Sequence, residues 1–296
     1  MADKRSFLVV GGDSLVGGST VRALKARGHE VHASTRRPDT LEPGRVLVDF
    51  EKEETYRAPD GVDYAFVIAA ATNYERCETD PMAKVINVEL IPRLVASLLD
   101  QGLFVTFIST NSVFGGERPW PHEDDAHTPG IAYAQQKADG EREVLRLTNE
   151  LGARDRLNIT RLTKIMDSDT PPLPNWLASW NRGETITPFA DLIFAPMSVR
   201  FVGDALATIG EKRVPGNLHL SGADNVSYVD FAQALARHLG YGASVVEPTT
   251  STAKGVHIAF KPTYSGLGMT RTRDLTGLEP QSLDALIRDL FPAGHG

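Results

Sequence analysis

The chain has 296 residues, a formal net charge of −7 and one cysteine, Cys77, with the apolar and charged fractions of a soluble globular protein. The negative charge and the lack of a Lys/Arg cluster argue against nucleic acid or an anionic membrane as a partner, and eight scattered histidines argue against a metal site. A single cysteine excludes an internal disulfide. The sequence shows neither a signal-peptide pattern nor an apolar run long enough for a membrane helix, so we expect a cytoplasmic protein, and with the scattered histidines we expect it to be metal-free.

The first elements predict a nucleotide-binding turn. An apolar run at 7–10 predicts a buried strand, a helix is expected from the turn to Arg27, and a second strand follows at 31–34. The glycine-rich segment between the first strand and the helix has the context of a dinucleotide-binding turn, in which the helix N-terminus faces a pyrophosphate. The predicted cofactor residues here are Gly11, Ser14, Leu15, Val16 and Gly17, with Ser14 in place of the usual middle glycine and its hydroxyl available to contact phosphate.

The end of the second strand predicts which cofactor is bound. NAD requires an acidic residue there for the ribose 2′-hydroxyl, whereas this chain has Arg36 and Arg37, which suit a 2′-phosphate. We therefore expect NADP (NADPH) rather than NAD, and the alternative is that both arginines are solvated surface residues. Further cofactor contacts are predicted after the third strand (46–50) and the fourth strand (64–68), at Asp49, Phe50, Ala69, Ala70 and Ala71.

The centre of the chain predicts a catalytic group. Segment 81–102 predicts a long amphipathic helix whose polar Asn87 ties the neighbouring strand and loop together. An apolar run at 104–108 predicts a fifth strand that ends at Thr110, and the next helix carries Tyr133 and Lys137. Because residues four apart share a helix face, Thr110 can meet both side chains across a cleft.

Ketone reduction is the chemistry that this group suits. Hydride addition leaves an alkoxide, which Tyr133 can protonate if its pKa falls from about 10 toward neutrality, and the Lys137 ammonium is expected to lower it. The Thr110 hydroxyl can hydrogen-bond the carbonyl oxygen. A Tyr-x-x-x-Lys pair alone is more often an ordinary surface pair, so the glycine-rich turn upstream is what makes it informative.

Alternating strands and helices predict an α/β fold, a doubly wound parallel Rossmann sheet followed by a smaller α+β part. A proline-rich segment at 170–174 breaks the alternation. We expect residues 1–167 to form the NADP-binding domain and residues 168–296 a substrate-binding lid, with the segment around 202–222 returning to the Rossmann domain. The later elements are predicted as a sixth strand at 157–162, a helix at 175–182, a helix opening at 202, a strand at 217–220 and a helix at 228–239.

With its glycine-rich turn, its strand ending at Thr110 and its Tyr133–Lys137 pair, the chain resembles the extended short-chain dehydrogenases/reductases. Among them it most resembles the dTDP-4-dehydrorhamnose reductases and their sugar-nucleotide relatives. Segment 69–78 is similar to the family's AAyTnVDkcE, segment 109–116 to STDYVFDG and segment 133–141 to YgxsKxxGE. The resemblance covers nearly the whole chain and is stronger before Thr163 than after it. It departs from the family pattern at Ser14, at Tyr74-Glu75, at Asn111-Ser112 and at Lys164.

The resemblance implies that Thr110, Tyr133 and Lys137 are catalytic, that Lys137 also holds the nicotinamide ribose hydroxyls, and that the substrate is a nucleotide sugar. It implies substrate contacts at Thr72, Asn111, Asn175, Trp176 and Asp191, although Trp176 could instead fill the core of the smaller part. A homodimer is left open.

Three functions remain open from the sequence. The first is an NADP-dependent reductase of a 4-keto sugar nucleotide, and the second is an epimerase or dehydratase on the same scaffold. A dehydratase would need an acidic pair directly after Thr110, which Asn111-Ser112 does not supply. The third is a non-catalytic NADP-binding regulatory protein, but relatives that lose activity usually lose the tyrosine or the lysine. The reductase is therefore the first expectation.

Overall fold

A seven-stranded parallel sheet forms the centre of the structure, a computed structural model that describes residues 4–292. The strands of the chain are β1 (Ser6–Val10), β2 (Glu30–Thr35), β3 (Arg45–Leu47), β4 (Tyr64–Val67), β5 (Phe104–Thr110), β6 (Leu157–Leu162), β7 (Ile165–Met166), β8 (Ile193–Phe194), β9 (Met197–Ser198), β10 (Gly216–Leu220) and β11 (Val226–Ser227). The order across the sheet is β10-β6-β5-β4-β1-β2-β3, with every neighbouring pair parallel. The predicted doubly wound Rossmann sheet is confirmed.

Helices cover both faces of this sheet, as its nearly continuous apolar strands require. They are α1 (Leu15–Ala26), α2 (Tyr74–Thr79), α3 (Pro81–Val85), α4 (Ile91–Asp100), α5 (Ala132–Glu150), α6 (Leu173–Asn181), α7 (Val199–Lys212), α8 (Tyr228–His238), α9 (Thr270–Thr276) and α10 (Leu283–Leu290). One core lies between the sheet and α1 with α7, and the other between the sheet and α4 with α5. No helix within residues 4–292 has the length and apolar character needed to cross a membrane.

The helix predicted over 81–102 is divided. A π-helical turn, Ile86–Leu90, separates α3 from α4. Pro92, the second residue of α4, lacks an N–H and its ring disfavours an ordinary α-helical turn before it, which accounts for the wider turn. Gly140 of α5 lies against this turn, since a Cβ there would be 2.6 Å from the carbonyl oxygen of Asn87. The wider turn and the glycine together bring Asn87 close to α5.

The residues after β6 divide between the sheet and a smaller part. The strand β10 pairs with β6, and α7 packs on α1, so residues 199–220 lie against the Rossmann part of the chain. The remaining residues form an α+β part with the short pairs β8–β11 and β7–β9. Its own core contains Trp176, Trp180, Phe194, Phe231 and Leu235.

Some element ends differ from the predicted ones. The third strand ends at Leu47, so Asp49 and Phe50 follow it instead of closing it. The helix α6 begins at Leu173, which is fully buried in the core of the smaller part, two residues earlier than predicted. The helix α7 begins at Val199 because Ser198 caps it, accepting a hydrogen bond from the N–H of Phe201.

Candidate active site

The glycine-rich turn brings β1, β4 and α1 closer together than side chains would allow. Gly11 has φ of +90°, and a Cβ on it would lie 2.8 Å from the backbone nitrogen of Ala69. A Cβ on Gly17 would lie 2.1 Å from the carbonyl oxygen of Gly11. Ser14 caps α1: its Oγ accepts from the N–H of Gly17 at 3.0 Å and donates to the carbonyl of Gly11 at 2.7 Å. The Ser14 hydroxyl is therefore engaged within the turn, where the sequence suggested a contact with phosphate.

A first cavity of about 490 Å³ lies beside this turn, between the ends of β2 and β4; we call it the groove. It contains most of the predicted cofactor residues, and their arrangement follows from the carboxyl ends of the parallel strands meeting at one edge. The predicted residues that line it are Gly11, Ser14, Arg36, Phe50, Ala69, Ala70, Ala71 and Thr72. Leu15 and Val16 instead line the second cavity described below, and Gly17, Arg37, Asp49 and Lys137 line neither.

The two predicted phosphate-binding arginines have different surroundings. Arg36 lines the groove, and no carboxylate of residues 4–292 lies within ion-pair distance of it. Arg37 does not line the groove; its guanidinium lies 3.7 Å from the carboxylate of Asp13, a groove residue that also pairs with Arg45. Although partial burial acts to raise it, hydrogen bonds from Arg45 and Thr35 hold the pKa of Asp13 below its usual range. Arg36 is therefore the arginine with a free charge at the groove.

A second cavity, of about 730 Å³, adjoins the groove; we call it the reaction cavity. Thr72 and Asn73 line both cavities, so the two are neighbours along the same edge of the sheet. Thr110, Asn111 and Tyr133 line the reaction cavity from the Rossmann side. Its opposite walls come from the smaller part of the chain and are mostly apolar: Leu192, Ile193, Phe194, Tyr228, Ile258, Phe260 and Pro262.

Tyr133 is buried at the start of α5, and the ring of Tyr74 packs on it with centroids 5.3 Å apart. Burial, assisted by the nearby Tyr74, raises the pKa of Tyr133 above its ordinary value, while hydrogen bonding with Thr110 acts in the opposite direction. Lys137 is not among the groups that act on this pKa, contrary to the sequence-based expectation. The phenol is protonated throughout the neutral pH range.

The reason lies in the position of the lysine. The Lys137 side chain is 2% exposed, and its Nζ donates a hydrogen bond to the carbonyl of Ile108 at 2.9 Å. The same nitrogen lies 4.3 Å from the centre of the Phe107 ring. Burial lowers the pKa of Lys137 to about 8, although the carboxylate of Glu141 opposes the shift. Lys137 therefore supports the end of β5 from within the protein instead of facing the cavity.

The residues after Thr110 connect the sheet to the smaller part. The Oγ of Thr110 lies 3.1 Å from the Oγ of Ser112 and accepts from the Ser112 N–H at 3.2 Å. The side-chain amide of Asn111 donates to the carbonyl and hydroxyl oxygens of Ser265, at 2.8 and 3.0 Å. Asn111 therefore lines the cavity, as expected of a substrate residue, but it also anchors the segment that closes the other side.

The predicted linking role of Asn87 is confirmed. Its Oδ1 accepts from the N–H of Ala71 and its Nδ2 donates to the carbonyl of Ala71, both at 2.9 Å. The same amide donates to Gln136 of α5 at 2.9 Å. One helical turn further along α5, Glu141 forms a buried ion pair with Arg161 at 2.7 Å. These contacts fix α5, and with it Tyr133, against the groove.

Three predicted substrate residues do not line the reaction cavity. Asn175 is exposed, and Trp176 is 7% exposed in the core of the smaller part, behind Tyr228. The carboxylate of Asp191 accepts from the N–H and hydroxyl of Ser251, at 2.9 and 2.8 Å, and from Lys261 at 2.5 Å. Asp191 thus holds the segment that supplies Ile258, Phe260 and Pro262 to the cavity.

Sequence reasoning missed those three residues and Asn73. Residues 258–265 form no regular element, so neither hydrophobic periodicity nor capping marks them in the sequence. Asn73 had a signal, because an asparagine before a short helix is a typical N-cap, and its Oδ1 accepts from the N–H of Arg76.

Similar proteins are found over nearly all of the chain. A model of the family described as "RmlD substrate binding domain" matches residues 5–292. A probable low-salt glycan biosynthesis reductase, Agl14, of Haloferax volcanii is 28% identical over 246 residues, covering 81% of this chain and 82% of that protein. A dTDP-4-dehydrorhamnose reductase of Burkholderia thailandensis is 30% identical over 245 residues, covering 77% and 76%. Methionine adenosyltransferase 2 subunit beta of Rattus norvegicus is 25% identical over 259 residues, covering 84% and 76%.

Solved structures share the fold. The dTDP-4-dehydrorhamnose reductase of Bacillus anthracis, in complex with NADP, has a TM-score of 0.81 at 20% identity, covering 97% of this chain and 99% of that one. MoeE5 in complex with UDP-glucuronic acid and NAD has a TM-score of 0.76 at 20% identity, covering 96% and 97%. The match of the family model over residues 5–292 carries the conclusion: the chain belongs to the RmlD substrate binding domain family, among the extended short-chain dehydrogenases/reductases.

Proposed function

We propose that the chain is an NADP-dependent reductase that converts a ketone on a sugar nucleotide into an alcohol. The observation that carries this proposal is the pairing of Thr110 with Tyr133 on one cavity, beside a groove built on the glycine-rich turn. A hydroxyl that can bind a carbonyl oxygen and a phenol that can release a proton are the two groups that ketone reduction needs from the protein. Family membership and the names of the reductase relatives support a nucleotide sugar, in particular a 4-keto sugar, as substrate.

The groove fits a dinucleotide with a 2′-phosphate. Gly11 and Gly17 allow β1, β4 and α1 to pack closely at the turn, and α1 begins there, so its positive end faces the groove. Arg36 would hold the 2′-phosphate, and the backbone at Ala69–Ala71 would pass beside the cofactor. When bound, NADPH supplies the hydride.

The protein's own residues would orient the ketone and provide the proton. The Thr110 hydroxyl hydrogen-bonds the carbonyl oxygen, and Tyr133 gives its phenolic proton to the alkoxide oxygen that replaces it. Burial keeps the Tyr133 phenol protonated at neutral pH, so the proton is present, and the phenolate left after donation would need a positive charge beside it. Tyr74, packed on the Tyr133 ring, shields the phenol from solvent. For Lys137 to hold the ribose hydroxyls, its Nζ must leave the Ile108 carbonyl.

One observation favours a second candidate, a non-catalytic NADP-binding regulatory protein. Lys137 lines neither cavity, and a relative of this chain is named as a subunit of another enzyme, methionine adenosyltransferase 2 subunit beta. An epimerase or dehydratase has less support, because Thr110 is followed by Asn111 and Ser112 where an acidic pair would be needed. Among the described residues that line the reaction cavity the acidic one is Glu75 of α2, which does not follow Thr110 and does not supply such a pair.

An isotope experiment separates these functions. The protein is incubated with a panel of 4-keto sugar nucleotides and NADPH that carries deuterium at the transferable position. A reductase oxidises one NADPH for each alcohol formed and places deuterium on the reduced carbon. An epimerase or dehydratase would convert a sugar nucleotide without net NADPH oxidation, and a regulatory protein would bind NADPH without converting any member of the panel.

A further inference from the structure

The reaction cavity contains a lysine without a counter-charge. Lys164 follows β6 by two residues and lines the cavity. Leu162 of β6 pairs with Thr110 of β5, so Lys164 leaves the sheet at the same edge as the proposed carbonyl-binding hydroxyl. Its backbone carbonyl accepts from the N–H of Met197, while its Nζ has no hydrogen-bond or ion-pair partner among residues 4–292.

Lys164 carries the basic side chain among the described residues that line the reaction cavity. The other lysine at the edge of the smaller part, Lys261, pairs with Asp191, and the buried Lys137 donates to a backbone carbonyl. Partial burial lowers the pKa of Lys164, with no neighbouring carboxylate acting against the shift. Because no carboxylate among residues 4–292 pairs with this ammonium group, an anion that entered the cavity would gain a charge-assisted contact with it.

The surroundings of Lys164 favour an anion from outside the chain. The residues Ile165, Leu192, Ile193 and Phe194, which line the same cavity, have apolar side chains without a carboxylate. The single carboxylate on the lining, Glu75, lies beyond ion-pair distance from Lys164. Lys164 itself remains accessible to solvent, so a ligand can reach its Nζ.

We propose that Lys164 binds an anionic group of the substrate within the reaction cavity, either a carboxylate on the sugar or the phosphate oxygens of the nucleotide. The proposal rests on the proposed function, which it deepens by naming the charge that the substrate carries next to the reacting site. Since the chain departs from the pattern of the resembling family at this position, Lys164 would be a specificity-determining residue.

Calorimetric titration of the NADPH-bound protein with three probes tests this assignment. UDP-glucuronic acid, UDP-glucose and uridine differ in the sugar carboxylate and in the diphosphate. The variants are Lys164→Gln, Lys164→Arg and, as a charge-matched control, Lys25→Gln. Lys25 is exposed in the last turn of α1, whose first turn is the one at the groove.

Loss of one charge-assisted contact is expected to weaken the anionic probe about 10- to 100-fold in Lys164→Gln, while Lys164→Arg and Lys25→Gln bind as wild type does. If the carboxylate is the partner, wild type prefers UDP-glucuronic acid to UDP-glucose and Lys164→Gln loses that preference. If the phosphates are the partner, both sugar nucleotides weaken equally and uridine does not. Either result supports the proposal.

Equal affinities of wild type and Lys164→Gln for all three probes would overturn the assignment, as would failure of wild type to bind either sugar nucleotide. Failure of the proposed function gives a different result. In that case the probes bind and respond to Lys164, but the protein oxidises no NADPH with any ketone of the panel.

Discussion

Replacing Asn87 should destabilise the protein more than its small size suggests. The side chain is 1% exposed and makes three hydrogen bonds of 2.9 Å, two with the backbone of Ala71 and one with Gln136. Asn87→Ala leaves the Ala71 N–H and the Gln136 Oε1 without those partners, whereas the Ala71 carbonyl keeps the thiol of Cys77 at 3.4 Å. At about 1–3 kcal/mol for each of these two orphaned buried groups, we expect a loss of about 2–6 kcal/mol in the free energy of unfolding.

Urea denaturation of Asn87→Ala and of a control, Asn149→Ala, measures this effect. Asn149 is exposed near the end of α5, so its replacement should change the free energy of unfolding by less than about 0.5 kcal/mol. Because Ala71 lines the groove, NADPH should also bind more weakly to Asn87→Ala. An Asn87→Ala variant as stable as the control would refute the reasoning that Asn87 provides the hydrogen bonds needed by the backbone of Ala71 at the groove.

Three further changes test other parts of the site. In fluorescence titrations, Arg36→Ala should bind NADPH about 10- to 100-fold more weakly, with little change in its affinity for NADH. Replacing Arg37, whose guanidinium faces Asp13, with alanine should alter neither affinity. Equal losses in the two variants would contradict the groove geometry. Burial lowers the pKa of Lys137 from 10.5 to about 8, so between these pH values the unfolded chain binds more protons than the folded one. From pH 8 to 10.5 the free energy of unfolding of wild type should therefore rise by up to about 3 kcal/mol relative to that of Lys137→Met. A difference between the two proteins that does not change with pH would count against the burial of this lysine. Asp191→Asn should raise KM for the sugar nucleotide without changing NADPH affinity, and a wild-type KM would argue against this role. Hydrogen bonds from Lys261 and Ser251 lower the pKa of Asp191 in the folded protein. Its contribution to stability is therefore present above about pH 4 and is lost as the pH falls through the lowered pKa of the folded state.

The sheet could be predicted because its strands are apolar runs separated by turns and helices that are strongly marked in the sequence. The helix expected from the glycine-rich turn to Arg27 is found at Leu15–Ala26, and Gly28, with φ of +87°, follows its C-cap. The π-helical turn at 86–90 was beyond this reasoning, since it depends on how Pro92 and Gly140 are accommodated together when α4 and α5 pack.

The sequence could predict the position of a functional group that is set by the backbone, but not one that depends on the direction of a long side chain. Thr110 and Tyr133 reach one cavity because a strand end and a helix start position them. Helical spacing puts Lys137 on the same face as Tyr133, but the direction of its Nζ, toward the Ile108 carbonyl, depends on tertiary packing. The same holds for Trp176, whose apolar ring suits a core as well as a pocket, and for Asp191, whose partners Ser251 and Lys261 are distant in sequence.

The central claim is that Tyr133 donates the proton in ketone reduction, and the turnover of Tyr133→Phe with NADPH and a 4-keto sugar nucleotide tests it most directly. The account predicts that kcat falls by at least about 100-fold while the NADPH dissociation constant stays at the wild-type value, because phenylalanine keeps the ring and loses the proton. Tyr241→Phe, which removes a hydroxyl that donates to Asn181 away from both cavities, should keep wild-type turnover. Turnover of Tyr133→Phe at the rate of Tyr241→Phe would contradict the account.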